Sequence, residues 1–399
     1  MQVPLPSKLA VGDLAWSSVT AFAEAAGIRA PLDPASIALA YRSDRLLTVD
    51  RLAPDVWSPL SGFWRTRDGW VRTHGNYPHH ARRLLDGLDV VDTAFVPAAF
   101  AERTSAEAVA AITAQGGLAV EVRPEDHARD ADLRSTALVE VAHHPSPGGG
   151  RSRDDRRSLE GIRVLDLTRV IAGPVCTRSL ALLGADVLRI DPPGLPEPEW
   201  QHFDTGHGKR SAVLDARSPL LRELLDLADV VVLGYRPAAL ARLGLSPDEL
   251  IERHPGLLVA QLSAWGIDSP ERAGFDSLVQ AESGIALIES ADGDRPGALP
   301  AQALDHSAGY LLAASVLSLL RRRQVEGGSW ITRTSLRRIA AELLGMPRRP
   351  APEPELDIDP AEHTAVFDIG GRIVTTARPA VPGVEFRAPR PWGADQPRW

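Results

Sequence analysis

Four groups of residues in this chain have types and spacings that chemistry could use. Phe203-Asp204-Thr205-Gly206-His207-Gly208-Lys209-Arg210 imitates a loop in which backbone N–H groups and a lysine cradle phosphate, but it lacks the first glycine and the Ser or Thr after the lysine. Nucleoside-triphosphate hydrolysis is therefore unsupported. The adjacent pairs His79-His80 and His143-His144 have neither i, i+4 spacing nor cysteine partners, so no metal site is expected and they read as solvated imidazoles. Cys176, the one cysteine, lies in an apolar helical run and reads as a packed core thiol. Asp305 stands just before a long apolar helix, where an aspartate accepts N–H bonds and complements the helix dipole; on that ground alone it reads as a cap. No G-x-S-x-G elbow is present to raise a nucleophilic serine.

The elements that must position these residues begin at Leu159. LEGIRVLDLTRVIAGPVCTRSLALLGADVLRID, from Leu159 to Asp191, predicts a strand over Ile162 to Leu167, a turn, an apolar helix with Pro174 in its first turn, a stop at Gly184 and a second strand over Val187 to Ile190. That is a βαβ unit with a right-handed crossover. Its turn is TRVIAGP rather than G-x-G-x-x-G, so a dinucleotide pyrophosphate is not cradled there. Further strands at Ala212 to Leu214, Val230 to Leu233 and Leu257 to Leu262 alternate with helices, and long helices follow at Ser277 to Ile288 and His306 to Arg322. The fold class expected is α/β: a Rossmann-like open, mostly parallel sheet with a second, smaller α+β domain.

The rest of the chain divides around that unit. Residues 1–55 form an N-terminal segment with helices at Leu14 to Ala26 and Pro34 to Ser43 and no visible chemistry. Residues 56–145 are the small domain, with a hairpin of Phe63-Trp64 and Trp70-Val71 around Asp68-Gly69 and helices near His79 to Leu88 and Ser105 to Gln115. Residues 146–158, SPGGGRSRDDRRS, have nothing to bury and read as a linker. Residues 159–346 are the Rossmann-like domain. The Pro-rich tail 347–399, with a hairpin at Ala365 to Ala377, completes it.

Composition bounds the function. The chain has 399 residues, 44% hydrophobic and 24% charged, enough for two or three domains with sizeable cores. A net charge of −8 argues against a nucleic-acid partner, since phosphate neutralisation needs a basic face. No uncharged run approaches the roughly 20 residues of a membrane helix, no basic-then-apolar leader opens the chain, and one cysteine suits a reducing compartment. No membrane partner is expected, and the expected location is cytoplasmic. Only Lys8 and Lys209 among 44 basic residues are lysines, which singles out Lys209 for inspection.

Seven motifs then fall in one order: LEGIRVLDLTRVIAGP at Leu159, LGADVLRID at Leu183, GKRSAVLDARSP at Gly208, ADVVVLGYRPAALARLGL at Ala228, LVAQLSAWG at Leu258, GFDSLVQAESG at Gly274 and ALDHSAGYLLAASVLSLLRRR at Ala303. In this the sequence resembles the family III CoA-transferases (the CaiB/BaiF group), which include formyl-CoA transferase, carnitine-CoA transferase and α-methylacyl-CoA racemase. DGWVRTHGNYPHHARRLL at Asp68 and TSAEAVAAITAQGGLAVEVRPEDHARD at Thr104 resemble the family's small domain, here placed before the nucleotide-type half rather than after it.

The resemblance implies a nucleophile at Asp305, because Asp305-His306-Ser307-Ala308-Gly309 matches the family's aspartate followed four residues later by glycine. It places coenzyme A against Arg169, Val170, Ile171 and Ala172, against Leu214 and Arg217, and against Tyr235 and Arg242, at the C-terminal edges of the strands where open α/β sheets bind ligands. The activity implied is transfer of CoA between an acyl-CoA and a carboxylic acid through an aspartyl acyl-anhydride and an aspartyl-CoA intermediate, with CoA as substrate and no metal. Three departures stand against the family pattern. Gly234 replaces an asparagine before Tyr235, Phe275 replaces the histidine of the racemases' GHD, and no glycine-rich flap is identifiable beyond Gly148-Gly149-Gly150 in the linker. Phenylalanine cannot exchange a proton, which counts against the alternative of an acyl-CoA racemase or isomerase. A non-catalytic CoA-binding or partner subunit is the other alternative. A homodimer is expected, with a homologous partner chain as the variant of it.

Overall fold

The fold follows from where β-branched runs can be buried on both faces. The computed structural model describes residues 2–145 and 158–399. The linker expected at 146–158, with Gly148-Gly149-Gly150, lies outside the described residues except for Ser158.

Arg163–Leu167, Asp186–Asp191, Arg210–Val213, Val230–Leu233 and Leu258–Ser263 are all strands of one seven-stranded sheet, and every pairing among them is parallel. Val164, Leu165, Val231, Val232 and Val259 are wholly buried, as strands covered on both faces require. Across the sheet the order is Glu140–His144, Ser329–Ser335, Leu258–Ser263, Val230–Leu233, Arg163–Leu167, Asp186–Asp191, Arg210–Val213. The order in which the chain adds strands therefore reverses between Arg163–Leu167 and Val230–Leu233, the switch point of a doubly wound sheet.

Two strands differ from expectation. Ser329–Ser335 runs parallel beside Leu258–Ser263, although its polar SWITRTS carries no apolar run. Glu140–His144, expected inside the small domain, pairs antiparallel with it, Ala142 opposite Ile331, and covers the sheet's edge. His143 is consequently not a solvated imidazole: it stacks on the fully buried Trp330 at 4.0 Å.

One face of the sheet packs helix Pro219–Leu227 through Leu221, Leu224 and Leu225. The other face packs helices Ala172–Leu182 and Ala303–Glu326. Ala303–Glu326 is long and apolar enough to cross a membrane, but it is the central core helix, with most of its length buried inside the protein. The N-terminal helices Val11–Ala26 and Pro34–Tyr41 complete the large core, not a segment apart. Phe22 and Tyr41 pack on Tyr310 with ring centroids 5.8 and 6.0 Å away, and the Tyr41 and Ser307 hydroxyls share a 3.0 Å hydrogen bond. The predicted helix from Ser277 to Ile288 is broken: Gly284 takes φ +96°, and a Cβ there would stand 2.5 Å from the Glu125 nitrogen.

The small antiparallel sheet Phe63–Arg65, Trp70–Thr73, Ala119–Glu121 has its own core of Val71, Leu84, Leu88, Phe100 and Ile112. The tail hairpin Thr364–Ile369 and Arg372–Ala377 pairs with Thr48–Val49 in a third sheet.

Candidate functional site

Everything that converges near the switch point is held there by two buried polar networks. In the first, Asp166 ends the central strand with its carboxylate buried. One oxygen accepts from the Thr168 N–H and hydroxyl at 3.1 and 2.5 Å; the other accepts from the Thr177 hydroxyl at 2.6 Å and Lys209 Nζ at 3.0 Å. Lys209 also donates to the Pro174 carbonyl at 3.0 Å. Burial pulls the Lys209 ammonium down to about 8 against the pull of Asp166. A charge pair this deep persists because each partner satisfies the other, and it staples strand, turn and helix together. Lys209 thus holds the turn.

The second network fixes the turn from outside. Glu197 accepts from the Tyr77 hydroxyl at 2.5 Å and from the Val170 N–H at 3.3 Å, and it pairs with Arg189 and, at 3.5 Å, with Arg169. Arg189 chelates Asp191 through two bonds of 2.9 and 2.8 Å. The Arg169 guanidinium lies over the Tyr77 ring at 4.6 Å. Between the two networks Val170 sits at φ +70°, a conformation a β-branched residue adopts only when its surroundings dictate it.

Asp305 enters from the core helix. It occupies the first turn of Ala303–Glu326 but does not cap it: its carboxyl oxygens have no hydrogen-bond partner among the described residues, while its own N–H donates to Asp276 Oδ2 at 3.0 Å. Asp276 is the residue that satisfies the helix end. Burial first and the neighbouring Asp276 second push the Asp305 carboxyl well above the ordinary range, and burial carries Asp276 itself up to about 6. Asp305 is thus a buried carboxyl, raised by burial, that is not spent on capping its own helix.

Three cavities meet around this pair. A cleft of about 240 Å³ opens at the strand ends between Arg169, Val170, Ala172, Gly234, Tyr235 and Arg236, and reaches Asp305. A narrow waist of about 40 Å³ shares Tyr77, Val170, Phe275 and Asp305 with it, and adds Ile171, His74 and Asn76. A third chamber of about 420 Å³ shares Asp44, Trp57, Asp276, Ser277 and Gln302 with the waist. The cleft carries two arginines over an apolar floor; the histidines on its wall, His79 and His80, are both lowered by burial, His80 to about 3. They contribute no cation at neutral pH.

Of the residues expected to touch CoA, Arg169, Val170, Ala172 and Tyr235 line the cleft and Ile171 lines the waist. Leu214, Arg217 and Arg242 line none of the three cavities. Leu214 follows the edge strand Arg210–Val213, two strands from the switch point; Arg217 is exposed beside Asp215 at 3.7 Å, and Arg242 pairs with Glu271 at 2.6 Å on the surface. Sequence reasoning missed Arg72, His74, Tyr77, Asp276 and Asp44. The signal for the first three was the run Arg72-Thr73-His74-Gly75-Asn76-Tyr77, dense in polar groups where a hairpin strand should alternate. Phe275 stacks on His74 with ring centroids 3.8 Å apart, so an imidazole from the small sheet fills the space beside it.

Among the described residues no group of three or more His, Cys, Asp or Glu side chains is placed to hold a metal. Cys176 is fully buried, with its thiol pushed up by burial.

Residues 159–347 match the sequence model of CoA-transferase family III. A probable fatty acyl-CoA transferase of Mycobacterium tuberculosis is 34% identical over 207 residues, covering 47% of this chain and 52% of its own. A succinyl-CoA–D-citramalate CoA-transferase of Chloroflexus aurantiacus is 33% identical (43% and 47% covered), and the human succinyl-CoA:glutarate CoA-transferase 31% (43% and 44% covered). The chain spans about half the length of these curated relatives. A crystal structure of the mycobacterial protein Rv3272 aligns with 46% of this chain and 57% of its own, at 31% identity and a TM-score of 0.44.

Proposed function

We infer, from the match of residues 159–347 to the model of CoA-transferase family III, that this chain transfers CoA between an acyl-CoA and a carboxylic acid with Asp305 as the covalent carrier. The observation that supports the reading is Asp305 itself, a buried carboxyl without a hydrogen-bond partner among the described residues, where the strand-end cleft meets the waist. CoA occupies the cleft, its phosphates near Arg169 and Arg236 and its thioester at Asp305. The Asp305 carboxylate attacks the thioester carbonyl; the C–S bond breaks and CoA leaves as thiolate, leaving an acyl anhydride on Asp305. The thiolate then attacks the aspartyl carbonyl, releasing the first acid and forming an aspartyl-CoA thioester. The acceptor carboxylate attacks that thioester, displacing the thiolate and forming a new anhydride; the thiolate attacks its acyl carbon to give the new acyl-CoA and free Asp305. The narrow waist keeps water from both activated carbonyls.

The test is chemical trapping. Full-length protein is incubated with an acyl-CoA and an acceptor acid, then with hydroxylamine, and a hydroxamate is sought at Asp305 by peptide mass spectrometry. An adduct supports the reading; no adduct together with unchanged turnover in Asp305→Ala overturns it. The same proposal includes assembly as a homodimer or with a homologous partner chain, read by sedimentation.

A second reading rests on His74. Its imidazole is buried, Nδ1 has no partner among the described residues, burial carries it to about 3, and it lines the waist with Asp305. An imidazole lowered by burial and a carboxyl raised by burial, lining one waist, are also a pairing that α-proton exchange uses. Deuterium wash-in from heavy water into the recovered acyl-CoA, lost in His74→Phe, would favour that chemistry over transfer.

A further inference from the structure

Part of the wall around the waist has no regular structure. Residues 53–62 join the N-terminal helices to the small sheet as neither helix nor strand, yet Val56 and Trp57 line the waist. Trp57, Ser61 and Gly62 also line the chamber beyond, whereas Asp305 lines the waist alone, so Trp57 belongs to the partition between that carboxyl and the larger space. A segment without a backbone ladder owes its position to side chains. Here that side chain is Asn76. Its Oδ1 accepts from the Ser58 N–H at 3.1 Å and from the Ser61 hydroxyl at 2.6 Å, and its Nδ2 donates to the Val56 carbonyl at 3.0 Å. Two more bonds come from neighbouring residues: the Gly75 N–H donates to the Ser61 hydroxyl at 2.8 Å, and the Thr73 hydroxyl to the Leu60 carbonyl at 2.7 Å. Trp57 adds ring contacts, 5.3 Å from the Arg72 guanidinium and edge-on to His74 at 6.3 Å, and is 40% exposed.

Water is what this wall faces. The chamber, about 420 Å³ and walled by Asp44, Arg45, Gln280 and Arg295, is polar and roomy enough to hold it. An acyl anhydride on Asp305 that meets this water is lost to transfer. Water adds to the acyl carbonyl and the bond from that carbon to the Asp305 oxygen breaks. Asp305 leaves as carboxylate; one of the water's protons stays with the acid and the other passes to the CoA thiolate. The net reaction is acyl-CoA plus water giving acid plus CoA.

We propose that residues 56–61 are the water shield of the acylated Asp305 and that Asn76 is its positioning residue, so that the Asn76 amide sets how the acyl group divides between acceptor acid and water. The assignment rests on the transferase reading for the intermediate being protected, but the clamp itself is independent of it. Asn76 acts through Trp57, which it holds against the waist. A residue that only supported the fold would lower transfer and hydrolysis together; a residue that holds the shield changes their ratio.

Access to Asp305 is read first, on the full chain without substrate. Asn76→Ala, with its melting curve recorded, should speed labelling of Asp305 by a water-soluble carbodiimide about tenfold, the shift that one lost net hydrogen bond makes in an opening equilibrium. Amide exchange over residues 56–61 should quicken with it. Asn76→Asp keeps the acceptor but loses the donor to Val56, and should fall between. Turnover is read second, with succinyl-CoA and glutarate: Asn76→Ala should raise the ratio of hydrolysis to transfer by a similar factor. Unchanged labelling in a folded Asn76→Ala overturns the proposal, as does transfer and hydrolysis falling in proportion. If Asn76→Ala does not fold, Trp57→Ala, which leaves the clamp in place, decides by the same two readings. If succinyl-CoA is not turned over, labelling decides alone. Trapping at Asp305 is read separately, so faster labelling in Asn76→Ala from a chain that forms no hydroxamate removes the transferase reading while the clamp over Asp305 stands.

Discussion

A Cβ placed on Gly309 would stand 2.6 Å from the carbonyl oxygen of Ala172 and 2.7 Å from Cβ of Val175. The spacing of Asp305 and Gly309 is thereby physical: the glycine, one turn after the aspartate, lets the start of Ala172–Leu182 touch the core helix, which places Val170 and Ala172 in the cleft that Asp305 also lines. Gly309→Ala must push the helices apart. Overpacking of this kind costs about 1–3 kcal/mol, and we expect a folded but less stable protein whose Asp305 no longer yields a hydroxamate; urea melts and the trapping assay check the two halves.

The raised Asp305 has a consequence for stability with a definite sign. A carboxyl whose pKa is higher folded than unfolded holds its proton more tightly in the native state, so its contribution is full below the ordinary aspartate value and is lost as pH rises through the raised one. Asp305→Asn removes that ionisation. The variant should therefore gain on wild type between pH 4 and pH 8, measured as the difference in urea midpoints at the two pH values; a difference that does not grow with pH contradicts the burial argument.

Lys209 and Asp166 should behave as one unit. Lys209→Met strands a buried carboxylate and should destabilise by about 3–5 kcal/mol, whereas Asp166→Asn combined with Lys209→Met removes both charges of the pair and should lose less. A double variant at least as damaged as the single one would show that the pair is not coupled.

Val170 offers the reverse case. Strain at φ +70° is relieved by glycine, so Val170→Gly should lose little stability, within about 1 kcal/mol once the greater freedom of glycine in the unfolded chain is counted. Binding of CoA, followed by calorimetry, should weaken all the same, because the turn is then held by fewer restraints. Unaltered CoA affinity would remove Val170 from the binding surface.

How much of this could be read from the sequence depended on how each residue is buried. The strands around Val164 and Val231 were legible because both faces are covered and apolar residues run without interruption. Ser329–Ser335 was not: its Thr and Ser side chains find partners inside the protein, Ser315 for Thr332 at 2.8 Å and the Leu138 carbonyl for Thr334 at 2.8 Å, so its composition reads as loop. Asp305 was singled out through its neighbours in the chain. Asp276 meets Asp305 across 29 residues and His74 meets Phe275 across about 200, and no local period reports such a meeting. Arg217 and Arg242 were singled out by motif, yet both are surface ion pairs of the kind that carry little energy.

The contacts of Phe22 and Tyr41 with Tyr310 also set a timetable. During synthesis helices Val11–Ala26 and Pro34–Tyr41 emerge with apolar faces that they cover only in part by packing on each other, and the rest waits until the ribosome has released the core helix about 260 residues later. The hairpin unit can fold as it appears, but the sheet waits for Ser329–Ser335 and the large core closes last. Nascent chains stalled before residue 303 should therefore bind holdase chaperones through their N-terminal helices, and the longest-lived folding intermediate should be one in which those helices are undocked.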